Sequence, residues 1–191
     1  MDHTVRLAMT ATFCAWIAVA VLLQFRQLHR SKRTERSEWG SLLGFVILVA
    51  LGVEVATPLE RAVPELSYGA SAWADAAVLI LAWAGIALRL WAIVTLGRFF
   101  RGTVHIQHHH TVVQSGPYRW VRHPAYSGIL LAGAALAATF DNAASWAVCV
   151  TCFVLAVACR ISIEERMLVD ALGEAYTSYA ARTRRLIPGV W

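Results

Sequence analysis

The sequence predicts an all-α fold: a polytopic membrane helix bundle of about five spans, with a C-terminal region on the cytosolic face. Three observations carry this. Of the 191 residues, 58% are hydrophobic and only 15% are charged, against roughly a quarter charged in soluble domains. The hydrophobic residues come in long blocks, as spans do. Basic residues alternate with the connections between those blocks, which is the positive-inside pattern.

The blocks can be taken in order. The first runs from about Val5 to Phe25. It follows Met1-Asp2-His3, which lacks the basic start of a cleaved signal peptide, so it reads as a span. The second runs from about Gly40 to Thr57 and contains Glu54 near its outer end. The third, about Trp73 to Leu96, contains Arg89. An arginine at a span centre costs about 2.5–3.5 kcal/mol on insertion scales, so it faces the bundle or snorkels. The fourth, about Tyr126 to Phe140, is short for a hydrocarbon core of about 30 Å. Asp141-Asn142 separates it from the fifth, about Ala143 to Cys159, so these two form a tight helical hairpin. Beyond Cys159 the chain turns polar with no Pro or Gly as far as Leu172, so the fifth helix continues past the membrane and ends at Gly173. A short helix, about Glu174 to Arg184, then turns Tyr176, Tyr179 and Ala180 inward, and Pro188-Gly189 closes it.

Charge sets the orientation. Arg26, Arg30, Lys32, Arg33 and Arg36 fill the first connection, Arg61 alone marks the second, and Arg98, Arg101, Arg119 and Arg122 lie in the third. The tail carries Arg160, Arg166, Arg182, Arg184 and Arg185. Five spans then place the N-terminus outside and the C-terminus in the cytosol. The net charge of +5 is explained by this pattern, so no nucleic-acid partner is expected. Cys14, Cys149, Cys152 and Cys159 all sit in apolar runs and read as small buried side chains.

Three polar clusters share the cytosolic face: Val104 to Tyr118, Arg122 to Gly128, and Arg160 with Glu164 and Glu165. Ser115-Gly116-Pro117-Tyr118 reads as a turn. His123-Pro124 forces His123 out of the helical region and starts the fourth helix, whose N-terminal N–H groups would suit an anion. Arg160 and Glu164, four residues apart, share one helix face. His105, His108, His109, His110 and His123 could suggest metal. Three consecutive side chains cannot all meet one ion from regular structure, and no Asp or Glu lies between Asp75 and Asp141, so no metal is expected.

The stretch "HTVVQSGPYRWVRHPAYSG", followed by "RISIEERMLVDALGEAYTSYAARTRRLIP", resembles the isoprenylcysteine carboxyl methyltransferase family and the wider group that includes phospholipid N-methyltransferases. The likeness covers roughly Leu96 to Pro188. It implies one integral-membrane methyltransferase domain over 1–191, with a three-helix part at 1–96 and a catalytic and cofactor-binding part at 97–191. It also implies S-adenosyl-L-methionine as cofactor and a lipophilic or prenylated acceptor that enters from the membrane lipid. Carried residue by residue, cofactor binding falls on Gln107, His110, Thr111, Val112, Val113, Tyr118, His123, Pro124, Ala125, Tyr126 and Glu164. Arg160 would contact the substrate, and Arg160 and Glu164 would serve catalysis. The spacing of Gln107 to His110 is shorter than in eukaryotic members.

The residues read by themselves agree with carboxyl O-methylation. A carboxylate acceptor is ionised at neutral pH and needs no base, only positioning and desolvation, which an arginine fork supplies. The alternative within the class is N-methylation of a lipid amine. Outside it stand a membrane scaffold or transporter subunit, and a nicotinamide-dependent reductase of lipid double bonds. Transport sites lie near the midplane, whereas these ionisable residues gather at one face.

Overall fold

The computed structural model describes residues 39–69, 71–97 and 112–191, and four helical positions near the N-terminus, 7, 8, 11 and 12. The expected first span and the basic connection after it lie almost wholly outside the described residues. So do Gln107, His110 and Thr111.

Helix α1 spans Trp39–Ala62 and α2 spans Ala72–Leu96. Helix α3 spans Pro124–Ala137, α4 Ala143–Leu172 and α5 Glu174–Arg182. Short 3-10 turns cover Pro64–Leu66, Gly116–Arg119 and Ala138–Phe140. The described residues form no named strand, only two isolated bridges, Ser67 with Asn142 and Val121 with Arg184. Among the described residues, three helices are long and apolar enough to cross a membrane: Gly40–Ala62, Ala72–Leu96 and Ala143–Leu172. The apolar Pro124–Phe140 is shorter.

The expected boundaries hold within a few residues except at the end of α1. That helix continues through Pro58 to Ala62, past the expected stop at Thr57. A proline removes one N–H and crowds one carbonyl. Thr57 Oγ1 donates to Val53 O at 2.9 Å just before it.

The caps explain the other ends. Ser71 starts α2, its hydroxyl accepting from Ala74 N–H at 3.2 Å. Asn142 starts α4, with Oδ1 accepting from Ala144 N–H at 3.0 Å and Ser145 N–H at 3.1 Å. Its Nδ2 donates to Val63 O at 2.8 Å, so one fully buried residue ties the hairpin to the end of α1. Thirty residues of α4, at about 1.5 Å each, reach roughly 15 Å beyond a 30 Å core. Counted from Ala143, about 20 residues fill such a core, so Arg160 falls at its edge and the last turns, with Glu164 and Glu165, stand clear of it.

Packing depends on small residues, as close helix contact in a membrane requires. Helices α2 and α3 cross where Gly85 meets Gly128. A Cβ on Gly128 would lie 2.5 Å from Gly85 O and 2.8 Å from Arg89 N. Helices α1 and α4 meet at Gly52, where a Cβ would lie 2.9 Å from Cys152 Cβ. Ser145 Oγ donates to Ala56 O at 2.8 Å in the same interface. Helix α3 joins the two pairs: Ile129 packs with Val157, Ile161 and Leu186. Leu186 belongs to the tail, so the C-terminal residues close over the end of the bundle.

Candidate active site

The polar stretch before α3 is held by the end of α2 on one side and by the tail on the other. Gly116 has φ +57, and a Cβ there would lie 2.8 Å from Thr95 Oγ1, so glycine is needed both for the turn and for its seat on α2. Pro117 and Tyr118 are buried beneath that turn. Trp120 meets Trp91 edge to face at 6.0 Å, and the Arg119 guanidinium sits 3.9 Å above the Trp120 ring.

On the tail side, Arg122 N–H donates to Arg184 O at 2.7 Å and His123 N–H to Arg185 O at 2.9 Å. Glu165, from the extension of α4, sits at the centre of this strap. Its Oε1 accepts from Arg122 Nε at 2.9 Å and lies 3.3 Å from His123 Nε2, and its Oε2 accepts from Arg185 Nε at 2.9 Å. Arg122 also donates to Ala180 O and Thr183 O, each at 2.6 Å, and Ser127 Oγ donates to Leu186 O at 2.7 Å. One carboxylate thus ties its own helix to two other stretches of chain, residues 122–123 and the tail.

One turn back along α4, Arg160 is only 6% exposed. Its Nε donates to Tyr126 Oη at 3.2 Å and its Nη1 to Ser41 Oγ at 3.5 Å. Its guanidinium lies 6.0 Å from the Phe45 ring and 5.9 Å from the Tyr126 ring. The Tyr126 hydroxyl is also within hydrogen-bonding reach of Glu164. Arg89 of α2 enters the same region, with Nη1 donating to Ala125 O at 3.4 Å and with Tyr118, Tyr126 and Arg160 as its charged or ionisable neighbours. Two guanidiniums, one carboxylate and two tyrosines therefore meet at the membrane boundary.

Burial pushes the Tyr118 hydroxyl well above the usual tyrosine range, and the Glu164 carboxylate adds to that. Tyr118 is therefore a neutral phenol at physiological pH. Tyr179, raised by burial to about 12, donates to Tyr118 O at 2.6 Å and fixes the turn from below.

Of the residues singled out from sequence, the structure brings Tyr118, Ala125, Tyr126, Arg160 and Glu164 together. Pro124 is buried at the first turn of α3, and half-buried Val112 and Val113 lead into the 3-10 turn. His123 is engaged differently from the expectation: it turns to Glu165. The N–H groups of Arg122 and His123 are taken by the strap, and those of Tyr126 and Ser127 by His123 O. These four are not free to meet an anion: the tail takes the first two and the turn at the start of α3 takes the others. Ser41, Phe45 and Arg89 were missed as site residues. Only Arg89 carried a signal, a charge inside a span. Among the described residues, no group of three or more His, Cys, Asp or Glu could hold a metal ion. Cys149 packs against α1, its Sγ donating to Gly52 O at 3.5 Å.

The cofactor implied by the resemblance can be tested against this pocket. A sulfonium amino acid needs carboxylate and polar partners held in a sheltered place. Glu164 supplies the carboxylate. The buried hydroxyl of Tyr176, which has no hydrogen-bond partner among the described residues, supplies an unused polar atom. The residues present fit such a group.

The model of the isoprenylcysteine carboxyl methyltransferase family matches residues 78–170. Protein-S-isoprenylcysteine O-methyltransferase B of Arabidopsis thaliana is 37% identical over 111 residues, 56% of this chain and 55% of that one. Protein-S-isoprenylcysteine O-methyltransferase A of the same plant is 34% identical over 123 residues, 62% of this chain and 61% of that one. The cobalt-zinc-cadmium resistance protein CzcN of Cupriavidus metallidurans is 34% identical over 121 residues, 61% of this chain and 51% of that one. Among solved structures, the eukaryotic intramembrane Ras methyltransferase ICMT matches with TM-score 0.56 and 26% identity, over 79% of this chain and 50% of that one. The chain thus spans a little over half the length of these relatives.

Proposed function

We propose, on the premise that residues 78–170 are related to the isoprenylcysteine carboxyl methyltransferase family, that this chain is a membrane methyltransferase acting on a lipid-linked carboxylate. The preferred acceptor is an isoprenylcysteine or similar prenylated carboxylate, and the proposed methyl donor is S-adenosyl-L-methionine. When bound, that donor supplies an electrophilic methyl group on a sulfonium. The observation that carries the reading is the meeting of Arg160, Arg89, Tyr126 and Glu164 at one membrane boundary.

The residue roles follow from their chemistry. Arg160 and Arg89 hold the acceptor carboxylate, since a guanidinium fork matches its geometry and stays charged. Aromatic Phe45 and Tyr126 flank Arg160 and exclude water, which strengthens the attraction. Glu164 holds the donor's ammonium, and Tyr118 and the chain before it, including Gln107, His110, Thr111, Val112 and Val113, surround the rest. His123, Pro124 and Ala125 shape the floor. No proton has to move, because the carboxylate attacks as the anion. The acceptor's apolar tail stays in the bilayer between helices. This reading also places the N-terminus outside and the site on the cytosolic side, as the arginine distribution implies.

The buried Arg160 and half-buried Arg89 favour an anionic acceptor over the lipid-amine alternative, because a protonated amine would be repelled and a neutral one gains nothing from them. The rate–pH profile separates the two: flat above about pH 6 for a carboxylate, rising toward the amine's own pKa for an amine. Titration calorimetry of the detergent-solubilised protein with S-adenosylmethionine tests the class. Absence of heat at millimolar donor would speak for a scaffold or transporter subunit. Oxidation of NADPH with candidate lipids would speak for a reductase. Glu164→Ala is expected to abolish donor binding, whereas Arg160→Ala retains binding and loses turnover. Wild-type behaviour of both variants would refute these assignments.

A further inference from the structure

Tyr176 is 4% exposed, and its hydroxyl is buried with no hydrogen-bond partner among the described residues. Its neighbour on α5, Tyr179, makes the contrast plain. The two rings meet edge to face at 6.2 Å, yet only Tyr179 donates, to Tyr118 O at 2.6 Å. Native proteins satisfy nearly all buried polar groups, because an unpaired one is costly. Phenylalanine would fill the Tyr176 site equally well, so packing does not account for the hydroxyl.

The surroundings indicate what would satisfy it. Gly173, at φ +53, turns α5 back so that Tyr176 is buried near the extension of α4. The charged and ionisable groups nearest it are Glu165 and Glu164 from α4, Arg122 from the stretch before α3, and Tyr179 from its own helix. Glu165 is occupied by Arg122, His123 and Arg185. Glu164 is the carboxylate proposed above to hold the donor.

We propose that the Tyr176 hydroxyl is a further contact of the methyl-donor pocket, completing its hydrogen bonding on the amino-acid or ribose end of the donor beside Glu164. The proposal rests on the donor assignment made above. A neutral phenol both donates and accepts, so it can serve a carboxylate, an ammonium or a sugar hydroxyl. The reacting methyl need not be near it, so its contribution lies in binding.

Tyr176→Phe tests this, with a readout on the free protein. Without donor, the variant should melt at the same temperature as wild type or higher, because an unpaired buried hydroxyl has been removed. Its dissociation constant for S-adenosylmethionine should rise about tenfold, the equivalent of about 1.4 kcal/mol. S-adenosylhomocysteine, which shares both polar ends, should weaken equally. Tyr179→Phe, the control, should lower the melting temperature of the free protein. Unchanged affinity for both ligands, or a lower melting temperature of free Tyr176→Phe, would overturn the proposal and place the partner within the protein or a trapped water. If wild type itself bound neither ligand, the donor assignment would fall and this inference with it.

Discussion

Removing the Glu165 carboxylate should cost far more than removing its most visible partner. In Glu165→Ala, Arg122 loses its counter-charge and His123 its side-chain partner, while their side chains remain only 11% and 4% exposed. Breaking a buried pair from one side costs about 3–5 kcal/mol. Arg122 keeps Ala180 O and Thr183 O as acceptors, which favours the lower end, about 3 kcal/mol by that same rule. Arg185 is 39% exposed, so Arg185→Ala should cost under about 1 kcal/mol after solvent screening. The backbone bonds from Arg122 and His123 to the tail survive both changes. Thermal unfolding in detergent should show Glu165→Ala melting roughly 6–12 °C lower, at about 2–4 °C per kcal/mol for a chain of this size. Trypsin should also cut sooner at Arg182 and Arg184 as the strap loosens. An Arg185→Ala loss equal to or above that of Glu165→Ala would refute the idea that the carboxylate acts by neutralising the buried Arg122.

Other consequences follow from the packing and the titrations. Gly128→Ala should separate α2 from α3, since its Cβ would meet backbone atoms at 2.5 and 2.8 Å that cannot turn aside. A loss of about 1–3 kcal/mol is expected, as in other overpacked contacts, read as a lower melting temperature. Asn142→Ala leaves Val63 O and two helix N–H groups without their partner, and should lower stability by about 1–2 kcal/mol in the same assay. Tyr118, Tyr176 and Tyr179 are all held above the ordinary tyrosine pKa by burial. Unfolded tyrosines lose their protons first, so the stability these groups contribute is fully present below pH 10 and is lost as pH rises from 10 toward 12. Melting curves at pH 8, 10 and 11 should show the fall only at the upper end. Tyr179→Phe and Tyr118→Phe should each make it shallower.

Much of the architecture was legible because a bilayer leaves few choices. Long apolar blocks must be helices, since backbone groups in lipid have no other way to be satisfied. The limits of α2 and α4, the hairpin at Asp141-Asn142 and the stop at Gly173 followed from where the apolar runs begin and end and from the glycine; the caps at Ser71 and Asn142 appear only in the structure. The pair Arg160 and Glu164 was legible because residues four apart share a helix face whatever surrounds them. The second apolar run ends at Thr57, so the expected block stops there, but the helix continues through Pro58 to Ala62.

Sequence alone thus determined the helices among the described residues and the resemblance of the polar segments to one family. It could not show that Arg89 and Ser41 approach Arg160, because those contacts join helices that lie far apart along the chain. Nor could it tell Glu164 from Glu165. Adjacent residues on a helix point about 100° apart, and only the path of the tail decides that Glu165 becomes the structural node while Glu164 turns to Tyr126.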